Sequence, residues 1–130
     1  MKYLFNEVSS VILTFTIYYL GGFDVALKSL LIIIIIDYIT GVLSAIYNKK
    51  LSSKIGFRGI LKKFAYLFIV ALSVVLDKIL GNTGTVRSLV IYFFVANDGI
   101  SILENVAEMN IPLPKKLTEI LEQLKDKEGE

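Results

Sequence analysis

Val25-Ala26-Leu27-Lys28-Ser29-Leu30-Leu31-Ile32-Ile33-Ile34-Ile35-Ile36-Asp37-Tyr38-Ile39-Thr40-Gly41-Val42-Leu43-Ser44-Ala45-Ile46-Tyr47 is the stretch that decides the fold. A hydrocarbon core takes about 20 helical residues at about 1.5 Å each, and this segment is long enough. Its Leu30–Ile36 run also has high β-propensity. A lone strand, however, cannot cross lipid with its backbone groups unsatisfied, and the neighbouring apolar segments are too long for strands. Helix follows.

Outward from that segment lie three more apolar blocks: Tyr3–Leu20, Phe64–Leu80 and Val86–Ala96. The first and last are marginal as spans, because Asn6-Glu7 and Asn97-Asp98 intrude. The first block follows Lys2 as a signal peptide would, but it ends in Tyr18-Tyr19-Leu20-Gly21-Gly22, without a small-x-small cleavage site. A retained helix is therefore expected. The 130 residues are 55% apolar with a mean hydropathy of +0.67. The apolar residues are gathered into blocks rather than scattered at amphipathic spacing. The reading is all-α: an integral membrane helical bundle of four, alternatively three, transmembrane helices, with a short amphipathic C-terminal helix.

The absent residue types narrow the chemistry. Cysteine and histidine do not occur, which removes thiol catalysis, disulfides and the commonest general base and metal ligand. Tryptophan is also absent, so an interfacial aromatic belt falls to the 7 Tyr and 8 Phe. No catalytic residue, cofactor or metal site is expected, and the chain is not read as an enzyme. Nucleic-acid binding would need a soluble basic face, which is lacking.

Charge placement sets the expected topology. Asn48–Lys63 carries Lys49, Lys50, Lys54, Arg58, Lys62 and Lys63 and no acid. A short basic loop of this kind stays cytoplasmic, and it also attracts anionic lipid headgroups. Within it, Gly56-Phe57-Arg58-Gly59 lacks Walker spacing and reads as a turn. With four spans both termini are cytoplasmic; with three, only the C-terminus is. Ile111-Pro112-Leu113-Pro114 breaks the chain, dividing a transmembrane domain (1–110) from a cytoplasmic tail (111–130). In that tail Leu117, Ile120, Leu121 and Leu124 form one apolar stripe.

Each apolar block hides polar residues at helical spacing. Asp37, Thr40, Gly41, Ser44 and Ala45 share one face of the second. Tyr66, Ser73 and Asp77 lie near one line in the third, with Lys62 below. Asn97, Ser101, Glu104, Asn105 and Glu108 share a face of the fourth. Small and hydroxylic residues in such stripes serve helix packing. An acid at mid-bilayer costs roughly 2.5–3.5 kcal/mol even on lenient insertion scales, so Asp37 should face protein or water. Candidate pore-lining or packing residues are thus Asp37, Thr40, Gly41, Ser44, Ala45, Asp77, Asn97, Asp98, Ser101 and Glu104.

The blocks Asp37–Ile46, Asn48-Lys49-Lys50, Ser52-Ser53 and Gly56–Lys63, followed by Ser101–Asn105 and Asn110–Leu117, resemble in order and spacing the toxin-secretion and phage-lysis holin family. The resemblance runs from Asp37 to about Leu124; the first block matches only in hydropathy. It implies a phage or prophage product in the bacterial cytoplasmic membrane. Such proteins self-associate and open large lesions through which an endolysin or toxin passes as cargo, without stable binding. On the residues alone, a small oligomeric ion channel or transporter subunit remains the alternative. A selective site would need a feature such as a broken helix at the midplane, for which Gly41 is a weak candidate.

Overall fold

The structure, a computed structural model, describes residues 1–129; Glu130, the end of the expected tail, lies outside the described residues. Among the described residues there are five helices and no strand: α1 (Lys2–Tyr19), α2 (Val25–Tyr47), α3 (Ser53–Ile79), α4 (Thr85–Ala107) and α5 (Lys115–Gly129). Three of them, α2, α3 and α4, are long and apolar enough to cross a membrane. At 23, 27 and 23 residues and about 1.5 Å per residue, they measure about 34–40 Å. α1 is not among them. Asn6, Glu7, Ser9 and Ser10 dilute its first half, so length and composition support three spans. Most large apolar side chains, such as Ile32, Ile35, Phe68, Leu72 and Leu89, stand on the outside, where a soluble protein would carry charge. The chain is a multi-pass membrane protein.

One correction concerns the basic segment. Only Asn48–Ser52 connects α2 to α3; the residues from Ser53 to Lys63 are the first three turns of α3. Ser52 caps this helix, its side chain accepting from the Ile55 amide at 3.2 Å. Gly56-Phe57-Arg58-Gly59 is helical, not a turn. Its two glycines face the ring of Tyr38 on α2, and a Cβ at Gly56 would sit 3.3 Å from the Tyr38 hydroxyl. Close packing of α2 on α3 explains these glycines without any turn.

The three long helices meet along seams with alternating steps of three and four residues. On α2 the seam is Leu27, Leu30, Ile34, Asp37, Gly41, Ser44; on α4 it is Ile91, Phe94, Asp98, Ser101, Asn105; on α3 it is Lys63, Tyr66, Val70, Ser73, Asp77. A 3.5-residue repeat is the pattern of shallow-angle packing in helical bundles. The seams change character together. Toward the α1–α2 and α3–α4 turns, Leu20, Leu27, Leu30, Val70 and Ile91 form a buried apolar cluster. Toward the basic connection the facing residues are polar. α5 folds back onto α4, bringing the Leu121 side chain against Gly99, where a Cβ would meet it at 2.9 Å.

The turn end of the bundle is tied by two side chains. α4 begins after Gly84 (φ 77°), whose missing side chain cannot cap. Asp77 at the end of α3 does so instead, accepting from the Val86 and Arg87 amides, both at 2.9 Å, which also places a negative charge at the positive end of the helix dipole. Arg87 then grips the α1–α2 turn. Its guanidinium donates to the carbonyls of Leu20 (2.7 Å) and Gly22 (3.1 Å) and to both carboxylate oxygens of Asp24 (2.8 and 3.1 Å). A Cβ at Gly21, in the left-handed region at φ 89°, would run into the Arg87 side chain.

Hydrogen bonding from Arg87, reinforced by the Leu27 amide, holds the Asp24 carboxyl below its ordinary pKa of 3.8, against a smaller opposing effect of burial. A carboxylate depressed in the folded state stabilises the fold fully above its unfolded pKa and loses that contribution as pH falls through the folded value. Asp24 is half exposed, so the contribution is that of a surface pair. Asp24→Asn should lower stability in detergent by a few tenths to about 1 kcal/mol at pH 7. Thermal unfolding followed by circular dichroism should show the gap to wild type unchanged down to about pH 5 and closing below about pH 4.

Candidate functional site

At the layer where the seams turn from apolar to polar, Lys63 of α3 lies between two acids. Its Nζ donates to Asp37 Oδ2 of α2 and, at 2.8 Å, to Asp98 Oδ2 of α4. The side chains of Lys63, Asp37 and Asp98 are 16%, 8% and 1% exposed, so all three charges are withdrawn from the surface. Each sits near the middle of its apolar helix or at the edge of its apolar part: Asp37 twelve residues into α2, Asp98 thirteen into α4, and Lys63 directly before Phe64. The Tyr66 ring, 5.1 Å from the Lys63 ammonium, stacks on Phe94 at 4.1 Å between centroids. These rings roof the charges off from the apolar cluster. A lone ion here would be expensive; pairing offsets much of that cost.

From this layer a polar ladder joins α2 to α4 toward the basic connection. Asn105 donates to the Asp37 carboxylate (3.2 Å), the Asp37 carbonyl (3.3 Å) and the Thr40 hydroxyl (3.0 Å). Ser44 donates to Glu108 at 2.8 Å, and Asn110 to the Tyr47 hydroxyl at 3.3 Å. The expected stripes on the second and fourth segments thus face each other, and among the described residues no buried side-chain polar atom lacks a partner. Beside the ladder, α2, α3 and α4 enclose a cavity of about 310 Å³ that reaches Asp37, Gly41, Ala45, Lys63, Ser101 and Asn105.

The candidate residues divide as follows. Asp37, Thr40, Gly41, Ser44, Ala45, Asp98 and Ser101 line the α2–α4 seam or the cavity. Asp77 is away from them, capping α4 at the opposite end. Asn97 is half-buried and Glu104 exposed. Lys49, Lys50, Lys54, Arg58 and Lys62 are exposed, where headgroups can reach them, whereas Lys63 turns inward to the acids. Sequence reasoning did not find the Lys63 ion cluster or the Arg87 clamp. The signal existed for Lys63: on a helix begun at Ser52 it shares a seam with Val70 and Asp77, whereas a loop lysine shares none. Among the described residues no acidic group is arranged to hold a metal ion.

The profile of the bacteriophage holin family matches residues 14–126. This protein belongs to that family. The match covers all of α2, α3 and α4, and with them the ion cluster and its ladder. Relatives have similar lengths. An uncharacterized 14.9 kDa protein in the nagH 3' region of Clostridium perfringens is 45% identical over 108 residues, 82% of each chain. An uncharacterized protein of Listeria monocytogenes is 43% identical over 113 residues, 87% of this chain and 81% of the relative. One of Bacillus subtilis is 34% identical over 110 residues, 85% and 78%. No solved structure matches.

Removing the single cation should be costly. Lys63→Met leaves two carboxylates facing each other in a buried layer, and loss of one partner from a buried ion pair costs about 3–5 kcal/mol. Unfolding of the purified protein in mixed detergent–SDS micelles should show that loss. Lys63→Met combined with Asp37→Asn and Asp98→Asn removes every charge and should recover most of it. An unchanged single variant would mean that the cluster does not hold the bundle.

Proposed function

We propose that this holin collects in the bacterial cytoplasmic membrane, self-associates, and opens lesions wide enough to release an endolysin or toxin. The observation that carries the reading is the family match across all three apolar helices. The architecture supports it. A single bundle has its turn end filled by Leu27, Leu30, Val70 and Ile91, so one copy has no through-channel, and passage of a folded protein needs many copies. The broad exposed apolar surface suits contact with lipid and with other copies.

The proposed topology puts the basic connection and α5 in the cytoplasm. Lys49, Lys50, Lys54, Arg58 and Lys62 lie exposed at that end, while at the opposite end Arg87 is neutralised by Asp24. α1 joins α3 in lining an apolar groove that involves Val11, Phe15 and Leu20 on one side and Phe64 and Ala71 on the other. α1 buries none of its own residues; a fourth crossing beside that groove would put Met1 in the cytoplasm as well. Reporter fusions at Met1 and Glu130 check both ends; an external C-terminus would sink the topology.

Induced expression beside an endolysin, followed by culture density, should show abrupt arrest with release of a large cytosolic reporter enzyme. A leak confined to small ions would instead favour a channel. Asp37→Asn should delay the onset of lysis at equal membrane abundance. An assembly that turns the Asp37 face toward open water hydrates a carboxylate that is only 8% exposed in the single bundle, and the amide offers less of that gain. Lysis on the wild-type schedule would reduce Asp37 to a packing residue.

A further inference from the structure

The bundle differs along its length in a way that neither the family nor the lesion reading assigns. On the turn side of the ion cluster the seams are closed by Leu27, Leu30, Val70 and Ile91, each with no exposed surface. On the other side lies the cavity of about 310 Å³, with Asp37 and Lys63 on its wall, Ser101 and Asn105 beside them, and Leu51 and Ser52 of the basic connection at its far end. At about 30 Å³ per molecule this is room for roughly ten waters, and Asp37, Lys63, Ser101 and Asn105 offer hydrogen-bond partners to those at its deep end.

On the other flank of α4, α5 packs Leu121 against Gly99, next to Asp98, and leaves Glu119, Glu122 and Gln123 exposed, so polar surface borders that half of α4 as well.

We infer that the α2–α3–α4 cavity is a water-filled crevice, open toward the basic connection, that brings solvent to Asp37 and Lys63 at the edge of the ion cluster. The apolar cluster beyond it is the seal. On its wall the Asp37 carboxylate and the Lys63 ammonium balance each other. The inference rests on the orientation proposed above and concerns the protein before any lesion opens.

The chain has no cysteine, so single cysteines report without background. Gly41→Cys, Ala45→Cys and Ser101→Cys would line the crevice. A Cβ at Gly41 meets Asn105 only at an ordinary 3.6 Å. Leu30→Cys marks the seal, and Ile35→Cys, exposed on the apolar outside of α2, marks the lipid face. Membranes are prepared as inside-out and right-side-out vesicles from cells expressing below the lytic threshold. They are treated with an impermeant methanethiosulfonate.

Because the reactive thiolate forms in water, the crevice cysteines should react about ten-fold faster than Leu30→Cys or Ile35→Cys. They should do so from the inside-out face alone. Crevice cysteines as slow as Leu30→Cys would mean a dry cavity, and equal reaction from both faces would mean water arriving through a shared lumen; either overturns the inference. Lysis by the same variants at full induction is scored separately. One-sided labelling without lysis would uphold the crevice while rejecting the lesion reading.

Discussion

Lys63 hydrogen-bonded to Asp37 and Asp98 is the contact on which the bundle depends, because each group is unaffordable alone where it sits. An unpaired ion in an apolar environment neutralises or drags water in; here one ammonium draws a residue from each of three helices into a single layer. The seams then follow. With Asp37, Lys63 and Asp98 at one height, Leu30, Val70 and Ile91 are brought together on one side and Thr40 and Asn105 on the other. A one-residue slip of any helix would bury a charge against leucine, so the cluster sets register as well as contributing contact. That resembles the best-attested use of buried polar groups, selecting one packing among many that apolar surfaces would allow.

The two ends of the bundle are held by different means. At the turn end an apolar cluster is closed off by charge: Asp77 caps α4 and Arg87 gathers three carbonyl or carboxylate partners from the α1–α2 turn. At the other end the contacts are side-chain hydrogen bonds between α2 and α4, backed by α5. Hydrogen bonds between transmembrane helices average well under 1 kcal/mol, because competing partners exist in the separated state. The polar half is thus the softer one. The ladder and the α5–α4 contact should therefore yield before the capped turns do.

Much of this was legible from the residues. The helical character of Val25–Tyr47, the spacing of Asp37, Thr40, Gly41 and Ser44, and the break at Pro112 and Pro114 all follow from period, length and the chemistry of proline. The basic segment misled, because Lys and Arg set topology whether they stand on a loop or a helix. Gly56 and Gly59, three apart, also look like a turn until Tyr38 is known to lie across them. Reading Ser52 as a helix cap would have placed Lys63 on the inner face.

What the sequence determined by itself was the solvent of this protein and the repeat along each helix, since both depend only on which residues are apolar and how they are spaced. What the tertiary structure alone decided was partnership: that Lys63 faces two acids rather than headgroups, that Asp77 caps a helix other than its own, and that Arg87 closes a turn more than sixty residues earlier in the chain. The physical reason is that a charge in an apolar setting needs a partner, but no local rule names it. The identity of that partner emerges only when three helices, each periodic on its own terms, are brought to a common height.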